Sequence, residues 1–470
     1  MSSETRPKQR YDAKELWRKD HDHMFHPFTH FPSFEKEGAL VIAEGDGAYV
    51  FDAEGKRYLD GIGGLWCVNI GHGNAEIAEA LATQAKRLGF YNTFVDVTNP
   101  PAAELAAKLA ELAPEPLNRV FFDTGGSAAN DTTVRTIHFY FYRLGKPNKK
   151  KIISRNLAYH GSSYLTMTLT GKTEDHVGFH LVPDLVHYVS CPDPYRRPEG
   201  SSLDEFCDQL VDELEAKIVE LGPENVAAFF AEPILGAGGV IVPPPGYHRR
   251  TQEVCRRYEV LYVSDEVVTG FGRLGQMFAS ESVFGLTPDI ITCAKGITSG
   301  YVPLGASLIS DDIYDVIRQS KPNEEYFNHG FTYSGHPLCC AAALKNIEII
   351  ERDRICEHVR EVGPYFEKQL AGLEDLPLVG EVRGSHFMLC VESVANKRTK
   401  ELLPPEVDIG KRIAVHCEKR GVMVRPIGHL NVLSPPLILT RDQIDELVET
   451  LGASIEATAD DLVREGLWNG

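Results

Sequence analysis

The sequence predicts an α/β protein, with a large domain on a mostly parallel sheet and a smaller α+β domain beside it. Three observations carry this. Short apolar runs rich in β-branched and aromatic residues, "KKIIS", "LVHYVS", "VAAFFAE", "VLYVSDE" and "DIITCA", are separated by stretches with helical apolar spacing. The runs are apolar throughout rather than alternating, as in strands buried on both faces. The texture also changes near residues 75 and 336, which divides the chain into an N-terminal segment 1–74 that belongs with the small domain, a large domain 75–335, and a C-terminal α+β domain 336–470.

Each element has a local cause. Residues 39–60, "ALVIAEGDGAYVFDAEGKRYLD", alternate apolar and polar around Gly45-Asp46-Gly47 and Asp52-Ala53-Glu54-Gly55, which reads as antiparallel hairpins. "AEIAEALATQAKRLG" and "PPAAELAAKLAELA" have helical spacing, and "RVFFDTGG" is a short strand running into glycines. Before "VAAFFAE", Ser202 with Glu205 forms a capping box and Gly222-Pro223 stops the helix. The last unit opens with "HPLCCAAALKNIEIIERD" and continues through a helix at 408–420 and strand-like "VMVRP" and "LNVLSPPLIL".

Composition narrows the function. A chain of 470 residues with a formal charge of −19 and scattered basic residues repels nucleic acid and anionic membranes, leaving small molecules and protein partners. Its ten cysteines include no C-x-x-C spacing, so neither a metal cluster nor a disulfide framework is expected. The N-terminus lacks the apolar core of a signal peptide, and no stretch is apolar enough to span a bilayer. A cytoplasmic protein is expected.

In an open parallel sheet, ligands gather at the carboxyl ends of the strands. Three such ends stand out: "FFDTGGSAAN", "YVSDEVVTGFGR" and "ITCAKG". The turn Gly125-Gly126-Ser127 leads into a helix, so its N–H groups can cradle a phosphate or simply make a tight turn. Of Asp265 and Glu266, one can hold a cationic ring nitrogen protonated while the other caps or pairs locally. Lys295 at a strand end either snorkels to the surface or, desolvated and neutral, is a nucleophile for an aldehyde. "GFGRLG", Gly270 to Gly275, matches the dinucleotide fingerprint, but Val267, Val268 and Thr269 separate it from Asp265 and a pyrophosphate would meet two carboxylates.

Taken in order, "FFDTGGSAAND", "AYHGSS", "AEPILGAGG", "DEVVTGFGRLG", "CAKGITSGYVPLGA" and "HGFTYSGHP" resemble the class III aminotransferases, pyridoxal-phosphate enzymes of the aspartate aminotransferase fold (fold type I). "GLWCVNIGHG" and "VRPIGHLNVLSPP" are similar to the ω-transaminase, or amine:pyruvate, branch. The resemblance implies a ping-pong transfer of an amino group to a keto acid, in a homodimer or a tetramer. It implies a Schiff base on Lys295, with Asp265 on the pyridine nitrogen. Tyr159 and Val267 would face the ring, Gly126 and Ser127 would take the phosphate, and Phe331 and Thr332 would come from the second subunit. His160 and Glu232 would support the cofactor. Phe28, Trp66, Tyr91 and Tyr159 would wall the substrate pocket, and Arg425 would bind a substrate carboxylate. No metal is implied. The phosphate loop departs from the family's S-G-S-E-A-N at Gly125 and Ala128, and His429 stands where relatives often carry Asp. A decarboxylase or aminomutase of the same fold, and a nucleotide-dependent oxidoreductase, are the alternatives.

Overall fold

The computed structural model describes residues 11–321 and 325–469; residues 1–10 of the predicted N-terminal segment lie outside them. Its centre is a seven-stranded sheet in the order Arg119–Asp123, Gly305–Ile309, Ile290–Cys293, Leu261–Asp265, Val226–Ala231, Lys151–Arg155, Val186–Val189. All share one direction except Gly305–Ile309, which is antiparallel to both of its neighbours. Every residue of Val226–Ala231 is buried, which explains its unbroken apolar sequence. Ala228 and Phe230 pack with Val134 and Ile137 of the helix Gly126–Arg143, while Phe229 and Ala231 pack with Leu210 and Leu214 of the helix Leu203–Leu221 on the other face. That second helix has the expected capping box at Ser202 and Glu205.

Residues 296–304 of "GITSGYVPLGA" are irregular, and its last two residues open the strand Gly305–Ile309. From Gly305 the chain turns back between Arg119–Asp123 and Ile290–Cys293, and Gly305 packs directly on Gly125: a side chain there would come within 2.5 Å of the Gly125 carbonyl oxygen.

Two smaller sheets flank the centre. The hairpins Ile42–Asp46, Tyr49–Asp52 and Arg57–Asp60 are completed by Val422–Met423, which runs parallel to Arg57–Asp60 from the far end of the sequence. Val379–Ser385, Met388–Ser393, Leu430–Leu433 and Arg425–Ile427 form the other, antiparallel throughout.

At the amino edge of the central sheet, three long helices end together: Gly126–Arg143, Leu203–Leu221 and Tyr247–Arg257. Their last carbonyls lack intrahelical partners. Lys149, only 3 % exposed, fills the gap, donating to the Pro223 carbonyl at 2.6 Å and the Tyr258 carbonyl at 3.3 Å, with its ammonium 5.3 Å from the centre of the Phe141 ring.

Candidate active site

At the opposite, carboxyl edge of the sheet lies a cavity of about 400 Å³. Strand ends, the start of the helix Gly126–Arg143 and the N-terminal segment converge on it. Of the residues singled out in the sequence, Phe28, Trp66, Gly126, Ser127, Tyr159, His160, Glu232, Asp265, Val267, Lys295 and Arg425 line it. Tyr91, Phe331 and Thr332 do not line this chain's cavity, and Tyr91 and Thr332 are exposed.

Lys295 follows the strand Ile290–Cys293 in a single 3₁₀ turn, in the left-handed region at φ 47°. Phe28 (φ 50°) and Trp66 (φ 64°) share that costly conformation, so three side chains of the cavity wall are held on strained backbone. The Lys295 amine has no hydrogen-bond or ion-pair partner among the described residues; its nearest aromatic is Trp66, 5.8 Å from the ring centre. Burial pushes its pKa down, against the opposing charges of Cys67, Asp265 and Glu232.

Asp265 is the counterpart. Its Oδ2 accepts from Asn130 Nδ2 at 2.8 Å and lies 2.8 Å from His160 Nδ1, and its Oδ1 accepts from the Val267 N–H at 3.1 Å. Burial alone would raise its pKa, but His160, Asn130 and the Val267 amide hold it below the usual carboxylate range. Asn130 is fixed by the Thr292 hydroxyl at 2.9 Å and by its own bond to the His160 carbonyl at 2.8 Å. Glu266 has the local role: it accepts from the Ala279 and Ser280 amides, both at 2.8 Å, and from the Thr269 hydroxyl at 3.0 Å.

The helix at Gly126 has no side-chain cap, so its first N–H groups remain available. A side chain at Gly126 would come 3.0 Å from Val267, so the backbone is bare where the two loops meet. The Ser127 hydroxyl accepts from the Ser162 N–H at 3.2 Å. Glu232 ties down the far wall, accepting from the Tyr159 N–H at 3.0 Å and the Gly236 N–H at 2.8 Å. Arg425 has no carboxylate partner among the described residues; His429 instead faces Glu392 at 3.7 Å.

Sequence reading missed Lys172 and Asp175, which also line the cavity and lie 3.6 Å apart. "GKTEDH" has no apolar period, so nothing in it announced a cavity wall. "GFGRLG" is a run of turns after a strand that ends at Asp265, with no helix until Ser280, so it lacks the strand–turn–helix setting of a dinucleotide site. No group of metal-ligating side chains occurs among the described residues.

A mostly parallel sheet with this cavity at its carboxyl edge and an antiparallel domain beside it defines the aspartate aminotransferase-like α/β enzymes. The chain belongs to the class III aminotransferases, whose family model matches residues 33–455. It is 42% identical to a putrescine–pyruvate aminotransferase of Pseudomonas aeruginosa over 442 residues, covering 93% of this chain and 95% of that protein. Among solved structures, a thermostable (S)-enantioselective omega-transaminase from Thermomicrobium roseum superimposes with a TM-score of 0.93 at 44% identity, over 96% of this chain and 99% of that one. The omega transaminase of Pseudomonas jessenii in complex with PMP gives a TM-score of 0.92 at 39% identity, over 95% and 98%.

Proposed function

We propose that this chain moves an amino group from a primary amine or ω-amino acid to a keto acid, pyruvate foremost, with pyridoxal phosphate as the carrier. The observation that carries this is a Lys295 amine with no partner among the described residues, facing the same cavity as an Asp265 carboxylate bonded by His160, Asn130 and the Val267 amide. Relatives supply the substrate pair, since one acts on putrescine and pyruvate. When bound, the cofactor supplies an aldehyde carbon and a ring that delocalises charge.

The residues present fit that group. The bare N–H groups at Gly126, with the Ser127 hydroxyl, hold a phosphate at the positive end of a helix. Asp265, kept charged by His160 and Asn130, holds a proton on a ring nitrogen. Tyr159 and Val267, which line the cavity, would flank the ring, and Glu232 fixes the Tyr159 backbone. Lys295 Nζ, favoured as the neutral amine, takes a proton from the donor's carbon and returns it. Arg425, unpaired at the mouth, receives the carboxylate of a keto acid. Phe28 and Trp66 exclude water.

Thr332 completes the phosphate site of a second copy in a homodimer. Ten free cysteines accord with the reducing cytoplasm.

The test is a panel of amines mixed with pyruvate, scored for loss of the protein's visible cofactor band and for alanine. One alanine per amine consumed is expected. Carbon dioxide or an isomerised amine without alanine would establish a decarboxylase or an aminomutase instead.

A further inference from the structure

"GFGRLG" has a different use from the one its glycines advertise. Arg273, at its centre, is fully buried, yet no carboxylate pairs with it among the described residues. Its Nη1 donates to the Phe387 carbonyl at 3.2 Å and to the Pro435 carbonyl, and its Nη2 to Asn69 Oδ1 at 2.8 Å. A guanidinium sealed in protein without a counter-ion is costly, and neutral side chains would hold three loops together at lower cost.

The clamp leads to Lys295. Asn69 donates to the Phe271 carbonyl at 2.7 Å and accepts from the Leu437 N–H at 2.8 Å. Its amide lies against Gly296, where an added side chain would come within 2.4 Å of Asn69 Nδ2. From the other side, Asn346 donates to the Gly296 carbonyl at 2.8 Å and the Ile297 carbonyl at 3.0 Å. The left-handed turn at Lys295 is thus gripped from two directions.

We propose that Arg273, held by Asn69, is a positioning residue that sets both the place and the charge of the Lys295 amine. The inference rests on the reading of Lys295 given above. The groups facing that amine are Asp265 and Glu232 from two strand ends, Cys67 and the Trp66 ring from the N-terminal segment, and Arg273. The first four favour the ammonium. Burial opposes it most, and Arg273 adds a like charge on the same side of the balance. A counter-ion in contact with Arg273 would cancel that contribution; the groups bonded to it are neutral, and Cys67 and Asp60 act on it only from a distance.

The experiment uses the full-length protein stripped of cofactor, in which the Lys295 amine is free, and a second sample reloaded with pyridoxal phosphate for spectroscopy. Trace labelling with acetic anhydride across a pH series, read by mass spectrometry on the Lys295 peptide, reports the amine's protonation. Arg273→Gln and Asn69→Asp are each expected to move the labelling curve roughly one pH unit upward, a tenfold slowing on its acid limb. Arg273→Lys, which keeps the charge, is expected to restore it even where thermal stability falls. In the reloaded protein the pH at which the visible band shifts should move the same way. Unchanged labelling in folded Gln and Asp variants overturns the proposal. Where Arg273→Gln does not fold, a folded Asn69→Asp decides it, since it keeps the arginine and adds a counter-charge in exchange for the bond to Phe271. Turnover surviving in Lys295→Ala would overturn the transaminase reading, an outcome separate from any labelling result.

Discussion

Two lysines sit at opposite edges of one sheet and teach opposite lessons. Lys149 lies at the amino edge, where helices end; Lys295 lies at the carboxyl edge, where they begin. The helix Gly126–Arg143 serves both, presenting its N-terminus to the cavity of Lys295 and its C-terminus to the nest around Lys149. A helix C-terminus favours a cation and an N-terminus disfavours one. Burial lowers both pKa values. For Lys149, burial first and Lys146 second push it down to about 8, so with two carbonyls to bond it stays an ammonium at neutral pH. Lys295 has no such partner among the described residues, and burial lowers its pKa against Cys67, Asp265 and Glu232. The same residue type is a bonded structural cation in one place and an unpartnered amine in the other because of what the chain ends around it supply.

Exchanging the two roles tests this contrast. Lys295→Ala is expected to cut amine–pyruvate turnover by roughly 10⁴-fold, with the urea midpoint unchanged or raised. A midpoint loss as large as that of a Lys149 variant would break the distinction. Asp265→Asn, which removes the charge from a buried carboxylate held by His160, is expected to cost roughly 10²–10³-fold in turnover and to weaken cofactor retention in dialysis. Arg425→Ala should slow the keto-acid half-reaction by roughly tenfold or more in single-turnover measurements and leave that of an uncharged amine nearly unchanged. Lys149→Met should do the reverse of Lys295→Ala, keeping turnover while losing about 1–3 kcal/mol in urea titrations, because the Pro223 and Tyr258 carbonyls lose their donor.

The smallest effect is one of pH. Lys149 has a pKa of about 8 folded and about 10.4 in an unfolded chain, so between those values the unfolded state binds more protons and stability from this group rises with pH. Below pH 8 both states carry the proton and the contribution is flat. Denaturation midpoints at pH 8 and pH 10 should therefore diverge less in Lys149→Met than in the parent.

Much of the candidate site was legible because its residues broke local rules. A lysine ending an apolar strand, an Asp-Glu pair at the next strand end and a glycine turn before a helix are each odd, and all three meet at one cavity. Glu266 took the local role that the pair left open. What stayed hidden depends on contacts far apart in sequence. The pairing of Val422 with Leu59 leaves no local trace, and neither does the return of Gly305–Ile309 as an antiparallel strand. Arg273 was read through its flanking glycines, although the arginine is the residue with the unusual environment.

The contact between Gly305 and Gly125 has a mechanical consequence. Ten residues after Lys295, the chain is spliced against the backbone of the turn proposed to hold the phosphate, with no room for even a methyl group. Lys295 and the turn at Gly125 therefore belong to one stiff span of fixed length, and a carrier held at both would gain no slack at the phosphate turn from a change at the lysine.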